Sequence, residues 1–212
     1  MAVADLDYTE LADQLALFTG GIPEHVVIQV IPMCVSRVAA ETKTLAGSLT
    51  AELDDHDTFH FDLDDDREVI EALSAKINGK TVPFIDRRRI VSATHPCCCL
   101  IEKYSDDGRE SVLQFFNIGP RDADSAVEAS VSYTFAPTLE ATSCPVPRDS
   151  NLFIRVVREL VLYELYIMPN RPWTDFKLAG HHLANYDQLI VELLRKGQVN
   201  DMPSDRVCAF SW

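Results

Sequence analysis

Between Glu52 and Glu68 the chain gathers nine acidic residues, one arginine and two histidines, the densest set of chemically able side chains it has. Asp62, Asp64 and Asp66 alternate as the first ligands of a calcium loop do. The loop glycine is replaced by Arg67, however, and the twelfth position is Leu73 rather than a glutamate. His56 and His60 beside the acids give a second route to a metal, a transition ion. The plainer readings are a solvated acidic turn, or an acidic patch of Asp54, Asp55, Asp57, Asp62, Asp64, Asp65 and Asp66 that faces a basic partner.

The other reactive side chains are not arranged for catalysis. The six cysteines include no C-x-x-C pair, and Cys97, Cys98 and Cys99 must alternate sides if they lie in a strand. Buried free thiols are the expectation for Cys34, Cys144, Cys208 and this triplet. His181-His182 and His25 lack H-E-x-x-H spacing and read as surface or interface histidines. The sequence has no G-x-S-x-G turn and no glycine-rich phosphate loop. Arg87, Arg88 and Arg89 are expected to pair with carboxylates of their own or a neighbouring subunit. A formal net charge of −14 argues against a protein that grips nucleic acid by its phosphates. No catalytic residue, metal or cofactor is assigned.

The elements that must position these residues follow from periodicity. Apolar spacing of three and four predicts a short helix over Glu10–Phe18, closed by Gly20-Gly21. A longer helix opens at Pro23 and runs to a stop at Gly47, kinked by Pro32. The period then becomes two. Thr58–Leu63 and Val127–Phe135 alternate as half-buried strands, Asn78-Gly79 suits a tight hairpin turn, and Asp106-Asp107-Gly108 marks another. Pro137–Pro147 reads as a loop. A third helix, capped by Asp149 or Ser150, runs to Met168. After the Pro169–Pro172 break, a fourth is capped by Thr174 and ended by Gly197.

These elements predict an α+β fold: a helical bundle from the N- and C-terminal helices with an inserted antiparallel β-hairpin domain and an extended C-terminal tail. The expected division is residues 1–47 with 149–197 for the bundle, 48–148 for the β domain and 198–212 for the tail. The N-terminus, MAVADLDYTELADQ, lacks the basic start and apolar run of a secretory signal. The most apolar stretch, Leu152–Met168, carries Arg155, Arg158, Glu159 and Glu164, so no membrane span is expected.

Two segments resemble the head–tail connector adaptors of tailed bacteriophages, the short-tailed type in particular. One is IPEHVVIQVIPMCVSRVAAETKTLAG, a Pro-Glu start into a long helix with small residues before a threonine. Pro32 departs from the continuous helix usual there. The other runs from VSYTFAP through a proline-rich approach and a long helix. It continues into Met168, Pro169, Pro172, Trp173 and a last helix with Tyr186 midway.

The resemblance implies a structural, non-enzymatic virion protein of the capsid–tail neck, assembled in the host cytoplasm. Such adaptors form a homo-oligomeric ring, usually dodecameric, below the portal protein. They offer the other face to tail or nozzle proteins and leave a channel for DNA ejection that does not read sequence. On this reading Val207, Cys208, Phe210 and Trp212 are a portal-docking tail, and Trp173 and Tyr186 are bundle or interface anchors. The acidic patch then faces the channel or a partner. A stopper or tail-completion protein of the same neck is a close alternative. A cellular metal- or ligand-binding protein, or a glycan hydrolase with two carboxylates, is a different class.

Overall fold

The computed structural model describes residues 5–200 apart from 62, 64–65, 86–93, 106–107, 119–126 and 146–149. In chain order the elements are β1 (Asp5–Asp7), α1 (Tyr8–Ala16), α2 (Glu24–Thr42), β2 (Ala46–Glu52), β3 (Thr58–His60), β4 (Arg67–Ile77) and β5 (Lys80–Val82). There follow β6 (Cys97–Ser105), β7 (Gly108–Phe116), β8 (Glu128–Pro137), β9 (Ser143–Pro145), α3 (Ser150–Ile167) and α4 (Phe176–Asn200).

This corrects the expected architecture. Among the described residues four helices accompany nine strands in three antiparallel sheets, not a helical bundle with a hairpin domain inserted. The sheets have the orders β1-β9, β2-β8-β4-β5 and β3-β7-β6. Among the described strands only β4–β5 and β6–β7 are sequential hairpins. β2 instead pairs with β8, and β3 with β7, across long stretches of chain. Period-two patterning marks a strand but carries no information about its partner.

The chain divides into two compact units. One comprises Met1–Leu45 with Pro137–Trp212, and the other Ala46–Ala136. In the first, the four helices share one apolar core that includes Leu11, Leu15, Ile31, Val35, Phe153, Leu160, Leu165 and Leu193. The small β1–β9 sheet belongs to this unit, and the Tyr8 amide donates to the Thr142 carbonyl beside it. In the second, Phe59, Phe61, Tyr133 and Phe135 form a run of ring contacts with centroids 5.3, 5.3 and 6.2 Å apart. Offset and edge contacts of this kind add to simple burial.

Local chemistry sets the element ends, sometimes not where periodicity put them. Asp7 caps α1 by accepting from the Thr9 and Glu10 amides. α2 continues through Pro32 and stops at Thr42, because Lys43 turns left-handed (φ 53°) and donates its amide to the Ala39 carbonyl. Gly47, expected to end that helix, lies in β2 opposite Tyr133; a Cβ there would come within 2.9 Å of the tyrosine ring. It is a packing glycine. Asn78 and Gly79 do form the β4–β5 turn, both at positive φ. Asp175, rather than Thr174, caps α4 through the Lys177 and Leu178 amides, and α4 runs past Gly197 to Asn200. Thr174 ties the corner instead, donating to the Met168 carbonyl and accepting from the Arg171 amide.

Candidate functional site

Two clusters of polar side chains in the helical unit join α2, α3 and α4. Glu159 projects from α3 into a nearly closed setting, 6% exposed. Its Oε2 lies 2.8 Å from His182 Nδ1 and accepts from Asn185 Nδ2 at 3.1 Å, both on α4. Its Oε1 accepts from Arg158 at 3.0 Å. Burial pushes the Glu159 carboxyl up, but His182, Asn185 and Arg158 together outweigh this and hold it below the usual carboxylate range. The His182 ring stacks on Tyr166, with centroids 5.7 Å apart, and His181 meets it edge-on.

The second polar junction centres on Arg37 of α2. Its Nε pairs with Glu41 at 2.9 Å, and an Nη reaches Glu164 of α3 at 3.6 Å. The guanidinium lies 5.8 Å from the Tyr186 ring of α4. The Tyr186 hydroxyl donates to the Glu41 carboxylate at 2.6 Å. Burial foremost, and then Glu41, raise the tyrosine above its ordinary value. Three helices are thereby fastened at one place.

The chemistry of these clusters is clamping. Carboxylates are spent on fixed donors, and the thiols are shielded. Cys34, Cys97, Cys98, Cys99 and Cys144 are all buried, and burial pushes Cys98 up to about 12. Among the described residues no group of three or more histidine, cysteine or acidic side chains is arranged to hold a metal.

The expected site residues fall in several places. Trp173 and Tyr186 both join the helical core; Arg171 lies 5.9 Å above the indole, and the indole N–H is buried without a partner. Asp54 organises a turn before β3. Its Oδ1 accepts from the His56 and Thr58 amides at 2.9 and 2.7 Å, and His60 lies 3.3 Å from Oδ2. Desolvation raises the Asp54 carboxyl, but the Thr58 amide, the His60 ring and the His56 amide bring it below its ordinary value. Asp55 is exposed, whereas Asp57 is half-buried at positive φ with its carbonyl accepting from Phe115. Asp66 is half-buried, 3.7 Å from the Arg67 guanidinium. Asp62, Asp64, Asp65, Arg87, Arg88, Arg89, Val207, Cys208, Phe210 and Trp212 lie outside the described residues.

Sequence reasoning missed the Glu159–His182 pair, reading the histidine as a surface or interface group. A signal was present: α3 is apolar almost all round, so a glutamate within it demands a partner. No protein-family model matches the chain, and no curated protein matches it either.

Proposed function

We propose that the chain is a non-enzymatic adaptor of a tailed-phage neck, of the short-tailed type. Copies of it form a ring that joins the portal to the tail around a DNA channel. The observation that carries this reading is the α3–α4 corner. Met168, Pro169, Pro172, Trp173 and Tyr186, through which the chain resembles such adaptors, include the residues that fix the corner and fasten α4. The Met168 carbonyl accepts from Thr174, Trp173 packs on the core, and Tyr186 bonds Glu41 on α2. A rigid frame of this kind suits a load-bearing part whose surfaces serve neighbours.

The net charge of −14 supports passage of DNA without adhesion, since like charge repels phosphates. The C-terminal residues Val207, Cys208, Phe210 and Trp212 supply the peptide that docks on the portal. In the virion the protein then occupies the neck, with tail or nozzle proteins on its far side. No described helix is long and apolar enough to cross a membrane.

Co-sedimentation with purified portal rings tests the reading. The full chain is expected to travel with the portal in a fixed stoichiometry. A chain that neither binds portal nor self-assembles contradicts it.

A further inference from the structure

Contacts among Glu159, Arg158, Phe18, Tyr166 and His182 close a circuit around one buried carboxylate. Glu159 accepts from the Arg158 guanidinium at 3.0 Å, and that guanidinium lies 5.4 Å from the Phe18 ring. The other Glu159 oxygen meets His182 of α4 at 2.8 Å. The His182 ring stacks on Tyr166, whose hydroxyl donates to the Phe18 carbonyl at 3.1 Å. Both paths from the carboxylate end on the same residue of the corner between α1 and α2, one on its side chain and one on its backbone.

The corner is a tight turn. The Phe18 and Thr19 amides donate to the Leu15 carbonyl and the Ile22 amide to the Thr19 carbonyl, while Gly20 and Gly21 both take positive φ. Two adjacent glycines give the chain much conformational freedom to regain once the corner is unfastened. Thr19 and Ile22 are buried, whereas Leu17 is 84% and Phe18 56% exposed. Leu17 and Phe18 are held out to solvent by groups lying beneath them.

We infer that this circuit is an acid-sensitive latch: the charged Glu159 carboxylate fastens the Leu17–Ile22 corner to α3 and α4, and neutralising it frees the corner while the helices stay folded. One negative charge draws Arg158 and His182 together. Without it Arg158, its side chain 35% exposed, can swing to water and leave the Phe18 ring. His182, at 17%, can follow only by giving up its stack on Tyr166. Other charges around Glu159 do not replace its own. On α3, Arg155 and Tyr163 lie one turn before and after it, and α4 adds His181 and the neutral Asn185. Arg37 and Glu41 of α2 are engaged with Glu164 and Tyr186, while Glu10 and Asp13 of α1 and Glu24 and His25 of α2 are exposed. The helices keep the apolar core and the Arg37–Glu41–Tyr186 junction, so the corner can open locally.

The sign follows from the carboxyl. Burial opposes its charge, yet His182, Asn185 and Arg158 hold it below the usual carboxylate range. The latch is therefore fully closed above that range and opens as pH falls through the folded-state value. It governs whether Leu17 and Phe18 meet a neighbour as a rigid pair or a loose one, and it does not depend on the adaptor reading. Amide hydrogen exchange of the full chain, read by mass spectrometry with fragmentation and corrected for the intrinsic rate at each pH, tests it. The Phe18, Thr19 and Ile22 amides report on the corner, and those of Val35 and Leu162 on the helical core. Between pH 7 and about pH 3 the wild-type corner is expected to lose protection about tenfold or more, while Val35 and Leu162 keep theirs. Glu159→Gln should show the loosened corner already at pH 7 and no further step in acid. Tyr166→Phe removes only the bond to the Phe18 carbonyl, so its corner should be looser at pH 7 and still take the acid step.

A wild-type corner that stays protected in acid overturns the inference, and so does one that opens only together with Val35 and Leu162. An acid step of wild-type size in folded Glu159→Gln overturns it as well. Asp13→Asn and Glu24→Gln decide the matter even if Glu159→Gln does not fold. Both side chains are exposed, and each variant should keep the wild-type step. Loss of the step in either one moves the titration away from Glu159 and overturns the latch.

Discussion

The hydroxyl of Tyr186 on α4 donates to the carboxylate of Glu41 on α2 at 2.6 Å, joining residues 145 positions apart in the chain. Glu41 also takes the Arg37 guanidinium, so one carboxylate serves two donors from different helices. Desolvation pushes its carboxyl up, and Tyr186 and Arg37 bring it below its ordinary value.

Replacing Tyr186 by Phe removes that bond and keeps the buried ring. Glu41 is partly exposed and can recover water, so the expected loss is about 1 kcal/mol. Tyr186→Ala also empties a core position and should cost about 3–5 kcal/mol. Urea unfolding followed by tryptophan fluorescence measures both.

Glu159→Ala should destabilise more than most single polar substitutions, by about 2–4 kcal/mol. It leaves His182, Asn185 and Arg158 without the acceptor they share. Glu159→Gln should lose less, because the amide oxygen can still accept.

Acid should weaken the protein through Glu41, Asp54 and Glu159. Each has a folded-state pKa below its unfolded value, so each contributes stability that is present above the ordinary carboxylate value and lost as pH falls through the folded one. Thermal unfolding between pH 7 and about pH 3 should show a declining midpoint, with a shallower decline in Glu159→Gln. An identical slope in that variant would remove Glu159 from the account.

Gly47→Ala should cost about 1–3 kcal/mol, since the new methyl group meets the Tyr133 ring at 2.9 Å. A strand position without this contact would gain from alanine, so the sign is diagnostic. Combining it with Tyr133→Ala should give less than the sum of the two single losses.

Removing the residues after Gln198 should leave the fold standing, because among the described residues Leu193 is the last of α4 in the buried core. Attachment to portal rings should fall sharply. Full-strength attachment of the truncated chain would count against tail docking.

Where a local rule fixes conformation, the sequence was legible. Asn78-Gly79 makes a turn because both residues tolerate positive φ, and the α3–α4 corner follows from Pro169 and Pro172. Legibility failed where the deciding atoms are distant in the chain. Gly47 looked like a helix stop because nothing local announces Tyr133, its partner across the β2–β8 ladder. The three-sheet arrangement was missed for the same reason: β2 meets β8 and β3 meets β7 through long-range pairing. His182 looked like a surface or interface residue because its carboxylate lies 23 positions earlier, on another helix. The acidic stretch was read as a unit, yet Asp54 is committed to its own turn while Asp55 faces solvent.

Electron microscopy of the purified chain, alone and mixed with portal rings, tests the adaptor account most directly. The account predicts rings with a central opening, stacked coaxially on the portal when both are present. A persistent monomer that ignores the portal and turns over a substrate would contradict it.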